Sequence, residues 1–157
     1  MWNDGAIHES DLYIMDRDFA SKKNGYSANS YLEVLNYNIE GCWEPGLVFI
    51  QDNAPIHNAR KVRQWFADRA IPVLEWPPYS PDLNPIEHIW GHLKSWILKL
   101  HPKLEMMGIG EVALEALESA LMEAWECIPD SIFEACLRSM ERRRDAVIEA
   151  KGWHTKY

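Results

Sequence analysis

The sequence predicts an α/β fold that passes into an all-helical tail, and three observations carry that reading. The run Leu47 to Ile50 is continuously apolar and ends in the polar turn Gln51-Asp52-Asn53, the pattern of a strand buried on both faces. An amphipathic stretch and a second short apolar segment follow it, and strand alternating with helix implies a parallel βαβ unit. From Glu111 onward the apolar spacing is helical throughout.

In chain order, Gly5-Ala6-Ile7 and "DLYIMD" (11 to 16) have the short apolar and aromatic character of two strands of a hairpin. "SANSYLEVLNYNI" offers Ser27 as an N-cap and places Tyr31, Leu32, Leu35 and Ile39 on one helical face, with Gly41 as the stop. The strand at Leu47 puts Asp52 at its carboxyl end. "NARKVRQWFADRA" predicts an amphipathic helix and "IPVLEWP" the next strand.

"WPPYSPDLNPIEHIW" (76 to 90) then places four prolines in the nine residues from Pro77 to Pro85. Proline fixes φ, removes a donor and pushes the preceding residue toward extended geometry, so a stiff arm results, one that delivers the helix beginning near Pro85 at a defined angle. "LHPKLEMMGIGE" predicts a loop. Val112, Leu114, Leu117, Leu121, Trp125 and Ile128 suit a helix closed by Pro129, and residues 132 to 150 suit another, stopped by Gly152.

With 157 residues, 47% of them hydrophobic, the chain is long enough for one globular domain. Its eight tryptophans are scattered along the sequence, which reads as core anchoring rather than a stacking platform. A net charge of -8 excludes a uniformly nucleic-acid-binding surface. The distribution is uneven: residues 1 to 57 carry 3 basic and 9 acidic groups, 58 to 103 carry 7 and 4, and 104 to 157 carry 6 and 11. The net-positive third is the one containing the proline arm. Cys42, Cys127 and Cys136 form no CxxC pair or even framework, which predicts free thiols in a reducing compartment. No apolar run approaches the roughly 18 residues of a membrane span, and the start has no secretory signal pattern.

Two acids stand out by position, Asp52 at a strand end and Glu87 in a helix's first turn. Ligands of open α/β sheets bind beyond the carboxyl ends of strands, and paired carboxylates suit Mg²⁺. Structural readings compete. Asn84, Pro85, Ile86 and Glu87 spell N-cap to N3, so Glu87 can close a capping box with Asn84, and Asp52 can serve an Asx-turn. His88 and His92 share a helix face at i and i+4, but no HExxH or cysteine accompanies them, and half-buried helix positions explain them more simply than zinc. Arg142-Arg143-Arg144 is flanked by Glu141 and Asp145, which predicts a solvated face. Neither a glycine-rich phosphate cradle nor a GxSxG elbow occurs.

"FIQDNAPIH" followed by "WPPYSPDLNPIEHIW" closely resembles the catalytic domain of the Tc1/mariner transposases, in the Tc1-like branch. Between Asp52 and Glu87 lie 34 residues, the interval that characterises that branch's acidic signature. "DLYIMDRDF", "GYSANSYLEVL" and the ending "SMERRRDAVIEAKGWHTKY" are similar to the family as well. The resemblance implies an RNase H-like mixed sheet with flanking helices, lacking its first strand, and a C-terminal helical tail. Residues 1 to 103 would form the incomplete catalytic core, with 104 to 157 a helical region packed on it.

It implies further that Asp52 and Glu87 are the second and third catalytic acids and ligate Mg²⁺ or Mn²⁺. Their reaction would be cleavage and transfer of DNA strands at transposon ends and target, in the nucleus. The family's first aspartate belongs to a strand upstream of the hairpin, so the chain is expected to start after it. Asp4, Asp11, Asp16 and Asp18 flank or follow the hairpin and do not match that position. The expectation is a fragment inactive alone and capable of self-association through an exposed sheet edge. The alternative is a remnant that binds nucleic acid or protein without cutting.

Overall fold

The computed structural model describes residues 11–21, 25–39, 43–78, 80–153 and 155–156. The first hairpin strand at Gly5, Asp4, the stop at Gly41 and Cys42 lie outside them. Chain contacts divide the protein into two compact units, Tyr13–Tyr79 and Ser80–Tyr157, the latter joined by Met1–Leu12.

In the unit Tyr13–Tyr79, helix α1 runs Ala28–Ile39 and α2 runs Arg60–Asp68. Ser27 caps α1 as its sequence suggests: the Asn29 N–H donates to Ser27 Oγ at 2.9 Å, satisfying one of the donors a helix start leaves open. Asp18 adds to this cap by accepting from Ser27 Oγ (2.6 Å) and Asn29 Nδ2 (3.0 Å). Those hydrogen bonds hold its carboxyl below the usual carboxylate range. The two helices pack through Ala28, Leu35, Val62, Trp65, Phe66 and Ile71. The Phe49 ring meets that of Phe66 at 4.9 Å, and Trp65 Nε1 donates to Asn36 Oδ1 at 2.7 Å, so the buried indole keeps its polar handle satisfied.

The expected RNase H-like mixed sheet is not formed among the described residues. Among the described residues the only β pairing is one parallel bridge, Phe49 with Val73, and the segment 11–16 is irregular. Phe49 N–H donates to Pro72 O and Phe49 O accepts from Leu74 N–H, both at 2.8 Å. A strand is a property of its partners as much as of its sequence. Pro72 has no N–H with which to extend the ladder, and Leu47, Val48 and Ile50 are 43 to 53% exposed. The apolar run therefore lacks the second neighbour that burial on both faces needs.

In the unit Ser80–Tyr157, a short 3₁₀ turn, Pro81–Leu83, leads into α3, Ile86–Leu100. A second 3₁₀ segment, Pro102–Met106, precedes α4, Glu111–Glu126. Then come α5, Asp130–Arg138, and α6, Met140–Glu149. The core joins Ile89, Leu93 and Ile97 of α3 to Ala120 and Ala124 of α4 and to Ile128, Phe133 and Cys136. Small residues at this contact let the helices approach closely. Val112 and Leu114, expected inside, are 72% and 56% exposed.

The long helix expected over 132 to 150 is divided at Ser139. That residue's N–H is shared between Ala135 and Cys136 carbonyls, and its hydroxyl donates to Cys136 O at 2.6 Å, a local bond that bends helices. Of the arginine run, Arg144 pairs with Asp145 at 2.8 Å on the surface. Arg143 departs from the solvated expectation: it is 3% exposed, with Nε donating to Ser139 Oγ at 2.6 Å. Cys127 and Cys136 are free thiols, and burial pushes that of Cys136 up.

Candidate active site

Asp52 lies three residues past the bridged Phe49, in irregular chain. Its Oδ1 accepts from the Ala54 N–H at 2.9 Å, which is the Asx-turn expected from Asn53-Ala54-Pro55. The same oxygen also meets His57 Nδ1 at 2.6 Å. Among the described residues nothing donates to Oδ2, and the side chain is 55% exposed. One carboxylate oxygen is thus fixed by two donors while the other stays open.

The residues behind Asp52 hold one another. The His57 ring lies against that of Tyr31, centroids 4.2 Å apart. Tyr31 Oη donates to Gln51 Oε1 at 2.8 Å, and Gln51 Nε2 reaches His57 O at 3.4 Å. Burial, helped by the charge of Asp52, raises the Tyr31 phenol well above its ordinary range, so it acts as a neutral donor at every physiological pH.

In front of Asp52 is a cleft of about 280 Å³ lined by Gln51, Asp52, Asn53, Leu74, Glu75 and Trp76, with Asn58 at its side. Asn53 Nδ2 donates to Trp76 O at 2.7 Å and its Oδ1 accepts from Asn58 at 3.3 Å, tying the two segments across the cleft. Sequence reasoning passes over Glu75. Its signal was available: Glu75 follows Val73 by two residues as Asp52 follows Phe49 by three, so both acids lie just past the carboxyl side of the bridged pair. The polar groups lining the cleft are carboxylates and carboxamides, which suits a hard divalent cation. No group of three or more Asp, Glu, His or Cys gathers among the described residues.

Glu87 belongs to the other compact unit, in the first turn of α3. Asn84 Oδ1 accepts from the Ile86 N–H at 3.3 Å, a local contact just ahead of the helix, whose N-cap position is Pro85 and not the expected Asn84. The reciprocal half of a capping box is absent, because the Asn84 N–H is already bonded to Pro81 O at 2.8 Å. Glu87 is exposed, and no donor among the described residues meets its carboxylate. His88 and His92 are exposed on the same helix and gather no third ligand there. Partial desolvation of the otherwise exposed ring, then Arg143, then His92 hold His88 below the usual histidine range.

Comparison with known proteins gives these features a lineage. Residues 13–107 match the family described as DDE superfamily endonuclease. The chain is 43% identical over 112 residues to the transposable element Tc1 transposase of Caenorhabditis elegans, covering 71% of this chain and 38% of that protein. It is 36% identical over 137 residues to the Tc3 transposase of the same organism, covering 85% and 39%. The chain thus spans less than two fifths of the length of these relatives.

Among solved structures, the Mos1 transposase catalytic domain with raltegravir and Mn superposes with a TM-score of 0.63 at 23% identity, covering 83% of this chain and 66% of that one. The catalytic domain of Mos1 mariner transposase gives 0.63 at the same identity, covering 83% and 64%. These likenesses establish a shared chain course. The protein belongs to the DDE superfamily endonucleases, and the relatives it resembles are Tc1-type transposases.

Proposed function

We propose that Asp52 and Glu87 are two carboxylates of a divalent-metal-dependent site that cleaves and transfers DNA strands. The observation that carries this reading is the arrangement at Asp52: Oδ1 is held by the Ala54 N–H and His57 while Oδ2 is left open beside the cleft. Family membership supports it, as does the 34-residue interval to Glu87. So does the exposed, uncapped carboxylate of Glu87.

Mg²⁺ or Mn²⁺, when bound, supplies Lewis-acid polarisation of a phosphodiester oxygen and an acidified water. The chain's own part is to present anionic oxygens in fixed places. The Asx-turn and His57 keep Asp52 in one rotamer, and the 3₁₀ turn Pro81–Leu83 leads into α3, whose first turn carries Glu87. DNA, as transposon end and target, is the partner this reading requires, and it carries a nuclear location with it.

The test is Mn²⁺ binding, followed by the loss of the free-ion paramagnetic resonance signal, beside nicking of supercoiled plasmid. Asp52→Asn and Glu87→Gln should each weaken Mn²⁺ binding by about tenfold or more. Equal binding in all three proteins would overturn the assignment. Duplex binding without any Mn²⁺ uptake would favour the rival, a protein that holds DNA without cutting it.

A further inference from the structure

We propose that the outward face of α2 is a docking surface for the phosphate backbone of duplex DNA, read through charge and not through sequence. The inference rests on the DNA reading above but not on any metal chemistry.

Helix α2 spends Val62, Trp65 and Phe66 on the core. What remains outside is basic: Arg60, Lys61 and Arg63, continued by Arg69 just past its end, against the single acid Asp68. That acid accepts from Gln64 Nε2 at 2.8 Å. Among the described residues no carboxylate pairs with Arg60, Lys61 or Arg63. The Lys61 ammonium donates to the amide oxygen of Asn29. The Arg69 guanidinium lies 4.1 Å over the Trp65 ring and reaches Asn36 Oδ1 at 3.5 Å. Along the flank toward α1, Arg60, Lys61 and Arg69 line a groove of about 640 Å³ with Leu32, Ala59 and Trp65, and Arg63 lies outside it.

A solvated helix face would ordinarily intersperse both signs, and the tail helices of this protein do so. Arg138 pairs with Glu134 at 3.3 Å and Arg144 with Asp145 at 2.8 Å. In a chain of net charge -8, three neighbouring cations that pair with no carboxylate among the described residues repel one another. A polyanion relieves that repulsion. The same unit carries Asp52, and the short segment from Asn53 to Ala59 joins it to α2, so a duplex held here lies against the unit that bears the proposed ligand.

The experiment is fluorescence anisotropy of a short mixed-sequence duplex with the full chain, from about 50 to 200 mM salt. The expected result is a linear fall of log Kobs with log salt. Arg60→Gln, Lys61→Gln and Arg63→Gln together should flatten that slope by about 2.7, or about 0.9 per lost phosphate contact. Arg138→Gln, which removes a paired arginine, should leave it unchanged. Circular dichroism confirms that the triple variant is folded. An unchanged slope in that variant, no duplex binding by the unaltered chain, or displacement of the duplex by polyglutamate as effectively as by unlabelled DNA would each overturn the proposal. Mn²⁺ binding separates the two readings: the triple variant should keep the Mn²⁺ affinity of the unaltered chain while its duplex slope falls.

Discussion

Replacing His57 tests whether the open oxygen of Asp52 is positioned or merely exposed. His57→Ala removes two things. One is the 2.6 Å contact from Nδ1 to Asp52 Oδ1, and the other is the ring contact with Tyr31 at 4.2 Å. Asp52 is more than half exposed and His57 about one fifth exposed. A charge-assisted bond is therefore discounted for solvent to about 0.5–1 kcal/mol. The ring pair adds about 0.5–1.5 kcal/mol. The expected loss of stability is about 1–2.5 kcal/mol, read from urea unfolding.

The functional consequence is separable from the stability. Without His57, Oδ1 keeps the Ala54 N–H alone and the carboxylate gains rotational freedom, so Mn²⁺ affinity should fall about tenfold. Two conservative variants split the terms. His57→Asn puts an amide N–H near the place of Nδ1 and should restore most of the Mn²⁺ affinity while leaving the stability low. His57→Phe keeps a ring against Tyr31 and should restore stability but not affinity. A His57→Phe protein that binds Mn²⁺ as well as the unaltered chain would refute the positioning argument.

Three further outcomes are expected. Tyr31 has its phenol raised by burial and by Asp52; a raised native pKa gives stability that is complete below the unfolded value near 10 and is lost as pH climbs above it. Tyr31→Phe should reduce the alkaline fall in unfolding midpoint, leaving the part due to the raised Cys136 thiol, and an unchanged fall would count against it. Arg143→Met should cost about 1–3 kcal/mol through loss of a buried hydrogen-bonded group and speed amide exchange at Ile86, whereas normal exchange there would show that α6 does not support the arm. The half-exposed Leu47, Val48, Ile50 and Leu74 around a one-residue bridge predict association that grows with concentration; a monomer at every concentration in sedimentation would contradict this.

Local features were readable where the sequence itself contains the physics. Ser27 as a cap, Tyr31, Leu32 and Leu35 on one helix face, and a helix over Arg60 all follow from short-range chemistry. The sheet did not, since periodicity reports which residues are apolar but not whether a second strand arrives to pair with them. The tail shows the same limit. Leu114 and Ala120 differ in apparent hydrophobicity in the wrong direction, because α3 selects the side of α4 that lets backbones come close. Arg143 was misread for a related reason: a run of three arginines looks solvated until one of them is seen to fall on the inner side of α6.

At the two acids, local sequence argued for structural roles, and the structure shows how such a role can coexist with an available carboxylate. Asp52 does make its Asx-turn, but a turn consumes one oxygen and a carboxylate has two. Glu87 stands in the first turn of α3, three residues after Asn84, yet the 3₁₀ turn at Pro81–Leu83 takes the Asn84 N–H for itself. Had that donor been free, the box would have closed on Glu87 and held its side chain against the backbone. Where the sequence predicts an extended arm, the prolines thus include a 3₁₀ turn. Pro81 supplies the carbonyl that occupies Asn84, and helix α6 packs on this turn, so the tail braces the segment that keeps Glu87 out of its own cap. The pattern that makes Glu87 resemble a capping residue is also what leaves its carboxylate facing solvent.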